Sequence, residues 1–344
     1  MEKKLKIFHL HFGRDGGAER FFVHLVNALA ERGVEQKSVI RPHRIWRSLI
    51  EGQTDIIESH FRNLSLDRVL LPSKLRHIVN SWAPDAMIAW TPKACRLMPA
   101  SFNGHKIVRL GDYPHSLNRF QSMDTIVANT PDIIQRMKNL GWNKSTKVIS
   151  NFTSNKKAAP IKRSELGVPE NVRLISSMGR FVHRKGFDTL IRAVQKNPDN
   201  HLLLVGDGEE RQALLSLAKS LNFENRLHLT GWQNDTRPFL RASDILVLPS
   251  RHEPLGNVIL EAWAQGIPVI STRSEGPIWF MEDGVNGLLT DINDVEGLST
   301  AIGRLNEEPH LASKLISGGG KTLNEQFSEE VITKAYIELF SNPL

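Results

Sequence analysis

The chain has 344 residues, 40% apolar and 24% charged, the composition of a soluble globular protein and, at roughly 150 residues per domain, the length of two domains. No uncharged apolar run approaches the ~20 residues needed to span a bilayer, and a single cysteine, Cys95, excludes an internal disulfide and a cysteine-rich zinc site. The net charge of +7 conceals an asymmetry: residues 1–160 hold 25 Lys and Arg against 13 Asp and Glu (+12), whereas residues 161–344 hold 19 against 24 (−5).

The first segment, Met1-Glu-Lys-Lys-Leu-Lys, leads straight into a strand at 5–10 instead of a signal sequence, so the expected location is the cytosol or the inner face of the plasma membrane. Phe22, Leu25, Val26 and Leu29 recur at helical spacing and predict a helix over 18–31. Between strand and helix lies Phe12-Gly13-Arg14-Asp15-Gly16-Gly17-Ala18-Glu19. Such a turn lets backbone approach a ligand closely and opens a helix toward it, and it equally suits a plain tight turn. It is not a Gly-x-Gly-x-x-Gly and does not by itself indicate a dinucleotide site.

Residues 34–80 carry mixed signals and no motif, but Arg41, Arg44, Trp46 and Arg47 fall within seven residues, and Arg62, Arg68, Lys74 and Arg76 follow. An aromatic among cations is what an interfacial patch requires, so this stretch is a candidate contact for an anionic membrane or acceptor; the alternative is an ordinary solvated basic face. Residues 84–90 and 106–110 read as further parallel strands, the second ending at Gly111-Asp112-Tyr113-Pro114-His115, and strands at 124–130 and 147–151 complete a first sheet. Cys95 reads as a buried or incidental thiol rather than a nucleophile. A polar segment at 154–160, without periodicity and ending in Pro160, is the expected hinge between a domain at 1–153 and one at 161–327.

The second half carries the chemistry. A strand at 173–178 ends in Gly179-Arg180-Phe181-Val182-His183-Arg184-Lys185-Gly186-Phe187-Asp188, followed by a helix over 188–195. Arg180 offers a bidentate fork and Lys185 a mobile point charge, a combination placed to neutralise a diphosphate. Another apolar run at 244–249 precedes Glu253-Pro254-Leu255-Gly256-Asn257-Val258-Ile259-Leu260-Glu261, where a strand gives way to a helix over 257–264. The amides of Gly256 and Asn257 open that helix and favour an anion, and Glu261 falls about 7 Å further along the axis. That offset suits a nucleotide with phosphate at the helix tip and ribose at the second carboxylate. Gly318-Gly319-Gly320 reads as a helix-ending turn, and Val331, Ile332, Tyr336 and Leu339 as the apolar stripe of a terminal helix within 328–344.

Residues 178–188, 202–208, 229–232 and the Ser-Arg-His-Glu-Pro-Leu-Gly-Asn block with Glu261 resemble, in order and spacing, family 4 of the retaining glycosyltransferases, similar to bacterial lipopolysaccharide glycosyltransferases. The resemblance implies an α/β protein of GT-B fold, with two facing Rossmann-like domains, the first for the acceptor and the second for the donor. It implies that the terminal helix returns to the first domain, although the sequence alone equally allows packing on the second. Carried over by position, Arg180 and Lys185 hold the diphosphate, Glu261 the ribose and Glu253 the transferred sugar. Leu255, Gly256 and Asn257 face phosphate or sugar, and Gly16 and Gly17 face the donor phosphate across the cleft. Backbone at Gly231 and Trp232 contacts the base, with the Trp232 side chain itself used in packing. Relatives often place a polar residue, frequently histidine, at the end of this strand; here the matching position holds Gly111 or Asp112 and His115 falls slightly late, a departure that leaves the sugar contact open between Asp112, the first choice, and His115.

No Asp-x-Asp occurs in the chain, so no cofactor or metal is expected, and leaving-group charge falls to Arg180, Lys185 and backbone N–H groups. The function implied is a retaining, metal-independent hexosyltransferase that moves a sugar from a UDP-sugar or GDP-sugar to a glycolipid or oligosaccharide of the cell envelope, such as lipopolysaccharide core. The expected partners are the nucleotide sugar, an anionic acceptor and an anionic membrane, and no nucleic acid. Two rivals remain at this point: a catalytically silent sugar-nucleotide-binding or membrane-associated scaffold, and an epimerase or hydrolase on the same frame. Intact Arg180, Lys185, Glu253 and Glu261 argue against a silent relative.

Overall fold

The computed structural model describes residues 4–14, 16–61 and 67–342, without the side chains of Arg68 and Val69. Asp15 of the Gly-rich turn and Arg62 of the basic stretch therefore lie outside the described residues. The chain divides into two compact units, one formed by Met1–Phe152 with Glu329–Leu344 and the other by Thr153–Ser328.

In the first unit the chain runs β1 (Lys6–His11), α1 (Gly17–Glu31), β2 (Glu35–Ile40), β3 (Asp55–Glu58), α2 (Asp67–Trp82), β4 (Ala86–Ala89), β5 (His105–Leu110), β6 (Thr125–Ala128), α3 (Pro131–Asn139) and β7 (Ser145–Val148). The strands form one parallel sheet in the order β3-β2-β1-β4-β5-β6-β7. Side chains alternate across it as the two-residue period of a strand requires. Phe8, Met87, Val108 and Ile126 face α2 and α3, while Ile7, Ile88, Ile107 and Val127 face α1. Helices on both faces explain why these strands read as near-continuous apolar runs.

The second unit continues with β8 (Arg173–Met178), α4 (Phe187–Val194), β9 (Asn200–Val205), α5 (Arg211–Ser220), β10 (Leu227–Leu229), α6 (Arg237–Ala242) and β11 (Ile245–Leu248). It ends with α7 (Asn257–Gln265), β12 (Val269–Thr272), α8 (Pro277–Phe280), β13 (Leu288–Thr290), α9 (Val295–Glu307) and α10 (Pro309–Gln326). Its parallel sheet has the order β10-β9-β8-β11-β12-β13. Each sheet thus reverses its strand order once, between β1 and β4 in the first unit and between β8 and β11 in the second. In open α/β sheets ligands gather outside the strand carboxyl ends at such a reversal.

The last helix, α11 (Glu329–Ser341), belongs to the first unit: Ile332, Tyr336, Leu339 and Phe340 are buried with Phe21, Phe22 and Phe152. His105 on β5 ties it down through Nδ1–H to the Leu339 carbonyl at 3.2 Å. The glycine run is a correction. Gly318, Gly319 and Gly320 lie inside α10 instead of ending it. A Cβ on Gly318 would stand 2.1 Å from the Val285 carbonyl oxygen, and one on Gly319 would stand 2.3 Å from the Trp263 ring, so these two glycines serve close packing. The gain in packing outweighs the roughly 1 kcal/mol that glycine costs in a helix interior.

Two histidines on β1 make the first unit sensitive to acid. Trp90 Nε1–H donates to His9 Nδ1 at 3.2 Å, leaving the His9 proton on Nε2, 3.1 Å from Gln36 Oε1. The Gly13 amide donates to His11 Nδ1 at 3.2 Å. Burial holds His9 down to about 4; burial, then the charges of His9 and Arg109, hold His11 down to about 3. Above the ordinary value of 6.5 both rings are neutral whether folded or not. Below it the unfolded chain binds protons that the folded chain refuses, so stability falls by about 1.4 kcal/mol per pH unit for each ring until the folded values are reached. Urea titrations between pH 7 and pH 5 should show the midpoint falling with acidification; a constant midpoint would contradict the assignment.

Candidate functional site

The strand-order reversal of the second unit is framed by two loops. After β8, Gly179 has φ +147°, Arg180 is exposed, and a short 3-10 turn, His183–Lys185, ends at Gly186. Gly186 is left-handed at φ +66°, and a Cβ there would meet the Pro249 carbonyl oxygen at 2.1 Å. The absent side chain therefore lets the β8–α4 loop lie directly against the end of β11.

Arg251 staples the two loops together. Its guanidinium donates to both Asp188 carboxylate oxygens at 2.8 and 2.7 Å and to the His183 carbonyl at 2.7 Å, while its amide donates to the Arg184 carbonyl at 2.8 Å. Burial works to raise the Asp188 carboxyl, but the Arg251 fork outweighs it and holds the group below its usual range. Sequence reading missed Arg251 because its partners lie more than forty residues away.

The stapling brings Lys185 onto Glu253. Lys185 Nζ lies 2.5 Å from Glu253 Oε2, and Ser250 Oγ donates to the same oxygen at 3.1 Å. Both side chains are largely buried, with 14% and 11% of their surfaces exposed. Oε1 of Glu253 has no protein partner among the described residues. The backbone of Glu253 is held as well: its amide donates to Glu275 Oε2 at 3.1 Å and its carbonyl accepts from the Gly276 amide at 2.8 Å.

Leu255 is buried, and Gly256 caps α7 at φ +89°, where a Cβ would crowd Ile259 and Leu248 at 3.1 and 3.2 Å. Asn257 then opens α7, whose first-turn amides supply the donors that an anion at a helix N-terminus meets. Glu261 lies one turn further along α7, and Thr236 Oγ1 donates to its Oε2 at 2.8 Å. Gly231 follows β10 at φ +73°, and its carbonyl accepts from the Gly206 amide at 3.0 Å. Trp232 is 48% exposed, which corrects the expectation of a packing residue. Lys185 and Glu253 are thus in contact, with Arg180, Leu255, Gly256 and Asn257 on the same pair of loops.

The remaining candidates belong to the first unit. Asp112 is exposed and its Oδ1 accepts from the Tyr113 amide at 2.8 Å; His115 is exposed too. Gly17 begins α1, and the Gly16 carbonyl accepts from the Arg20 amide at 3.1 Å. A Cβ at Gly13 would stand 1.8 Å from Glu19 Oε1 and 2.7 Å from the His11 ring, so a side chain there would require Glu19 to move.

The basic patch needs a correction as well. Trp46 is buried, donates through Nε1 to the Arg14 carbonyl at 2.8 Å and packs edge-on against Phe22, so it is not an interfacial aromatic. Arg47 pairs with Glu51 at 3.0 Å and Glu58 at 2.9 Å, Arg41 and Arg44 are partly buried, and the exposed apolar side chains next to them are Ile45 and Leu49. Cys95 is buried, which pushes its thiol up to about 12. Among the described residues no group of three or more His, Cys, Asp and Glu is gathered to hold a metal ion, and no helix is long and apolar enough to cross a membrane.

Residues 159–322 match the family glycosyl transferases group 1. The chain is 55% identical over 338 residues to the lipopolysaccharide core biosynthesis glycosyltransferase LpsE of Rhizobium meliloti (strain 1021), covering 98% of this chain and 99% of that one. It is 46% identical to LpsD of the same organism, covering 98% of each chain. The fold is similar to that of Anabaena Alr3699/HepE, solved in complex with UDP-glucose, with a TM-score of 0.85 at 24% identity over 98% of this chain and 99% of that one. Its two Rossmann-like units are those of the GT-B fold, and the chain belongs to the glycosyl transferases group 1 family as a glycosyltransferase.

Proposed function

We propose that the protein is a retaining, metal-independent hexosyltransferase that moves a sugar from a nucleoside-diphosphate donor to lipopolysaccharide core. The observation that carries this reading is the Glu253 carboxylate, fastened on Oε2 by Lys185 and Ser250 at the strand-order reversal, with Oε1 left to accept from a sugar hydroxyl. Arg180, Lys185 and the amides at Leu255 and Gly256 take the diphosphate, and Glu261, steadied by Thr236, takes the ribose. Gly16, Gly17 and Asp112 carry over as donor and sugar contacts, and Gly231 and Trp232 as base contacts, on the family resemblance alone. The names of LpsE and LpsD support lipopolysaccharide core as the acceptor.

In the proposed reaction the bond from the anomeric carbon to the phosphate oxygen breaks as the acceptor oxygen bonds to the same face of that carbon. The departing phosphate oxygen takes the acceptor's proton, so no protein base is needed. Preorganised cations and amides stabilise the developing phosphate charge without reorganising during the step.

The test is release of nucleoside diphosphate by the purified protein, with and without truncated lipopolysaccharide core, before and after dialysis against EDTA. Acceptor-dependent release that survives EDTA is the expected result. Release independent of acceptor would indicate a hydrolase, and no release with any nucleotide sugar would indicate a silent scaffold. Loss on chelation with recovery on magnesium or manganese would overturn the metal-independent mechanism.

A further inference from the structure

We propose that Glu275 is a positioning residue that sets donor-sugar selectivity by fixing the backbone from which Glu253 projects, an inference resting on the donor-site reading above. Glu275 follows β12 at the carboxyl edge of the second sheet, one strand beyond β11. Its two oxygens are divided between neighbouring residues of the opposite loop: Oε1 accepts from His252 Nδ1–H at 2.9 Å and Oε2 from the Glu253 amide at 3.1 Å. The next residue completes the clasp, since the Gly276 amide donates to the Glu253 carbonyl at 2.8 Å. Both backbone polar groups of Glu253 are therefore held by Glu275 and Gly276. Gly276 is also pressed against the loop, with room for a Cβ only 2.5 Å from Leu255 Cα. Burial works to raise the Glu275 carboxyl, but the His252 and amide bonds keep it below its usual range, so it is ionised when it makes them.

The chemical consequence follows from the geometry of Glu253. Lys185 and Ser250 both bind Oε2, so where Oε1 points depends on the backbone direction at residue 253. Epimeric sugars differ in the direction of one hydroxyl, and a fixed acceptor rewards one direction only. A buried polar group left unpaired by the wrong epimer is a strong discriminator, whereas a loosely held carboxylate adapts to either. Glu275 bonds His252 and the Glu253 amide, and in this proposal it acts through Glu253.

The test uses the full chain with UDP-glucose and its 4-epimer UDP-galactose, together with UDP binding by calorimetry. Glu275→Ala should bind UDP as the wild type does, lose turnover on the preferred hexose by about 10²-fold, and compress the ratio of kcat/KM between the epimers by about tenfold. Glu275→Gln, which keeps an acceptor for the Glu253 amide, should recover most of both. Glu253→Gln combined with Glu275→Ala should be no slower than Glu253→Gln alone, because the two act as one unit. An unchanged epimer ratio in Glu275→Ala, or losses that multiply in the double variant, would overturn the proposal. If Glu275→Ala does not fold, His252→Ala gives the same readout, a compressed ratio supporting the role and an unchanged one refuting it. A wild type that neither binds UDP nor consumes either hexose, and that binds no GDP- or ADP-sugar in their place, would count against the donor-site reading itself, and the proposal would fall with it.

Discussion

Arg180→Ala should lower turnover by about 10²-fold or more while leaving the fold intact. Arg180 is exposed and has no carboxylate within ion-pair distance among the described residues, so its removal breaks no ion pair there. Its guanidinium is available for charge that appears on the leaving diphosphate, and an interaction stronger in the transition state than in the ground state shows in kcat. Glu261→Ala is the informative contrast. Held by Thr236 and assigned to ribose, a part of the donor that does not react, it should raise the donor KM more than it lowers kcat. Steady-state kinetics on both variants, with unfolding midpoints as controls, distinguish the two roles. Unchanged donor kinetics in both folded variants would remove these residues from the site.

Lys185→Ala should lose both activity and stability. The pair it forms with Glu253 is largely buried, and removing one partner leaves the other charge uncompensated, at a cost of about 3 kcal/mol. Lys185→Ala with Glu253→Gln should recover much of that stability, because neither residue is then a stranded charge, but no activity. Urea denaturation of the single and double variants checks the first statement and donor consumption the second. A single variant as stable as the wild type would show that the pair does not hold the two loops together.

The paired loops were legible in the sequence because their signals are local. Gly179 and Gly186 bracket Arg180 and Lys185, and Glu253 to Glu261 runs continuously from strand to helix. What escaped reading depends on contacts between distant positions. Glu275 meets Glu253 across 22 residues, Thr236 meets Glu261 across 25, and Arg251 meets Asp188 across 63. Only the place of Glu275 after a parallel strand could have drawn notice.

Trp46 was misread for the same reason: its cationic neighbours are adjacent in sequence, whereas Phe22 and the Arg14 carbonyl that bury it come from the β1–α1 region. The glycine run was misread because glycine signals a helix end by backbone freedom, and here it permits close approach of Trp263 and Val285. Residues 34–80 gave no clean period because β3 is a four-residue edge strand with an exposed residue at either end, and Pro72 interrupts the pattern of α2.

Thermal unfolding with a panel of UDP-, GDP- and ADP-sugars tests the donor site most directly, because a ligand that binds only the folded form stabilises it by mass action. At a hundredfold excess over Kd the stabilisation is about 2.7 kcal/mol, readily seen in the melting midpoint. The wild type should be stabilised by at least one nucleotide sugar, and Arg180→Ala with Glu261→Ala should abolish that shift without unfolding the protein. An undiminished shift in the double variant, or no shift with any member of the panel, would contradict a donor site at the strand-order reversal of the second unit.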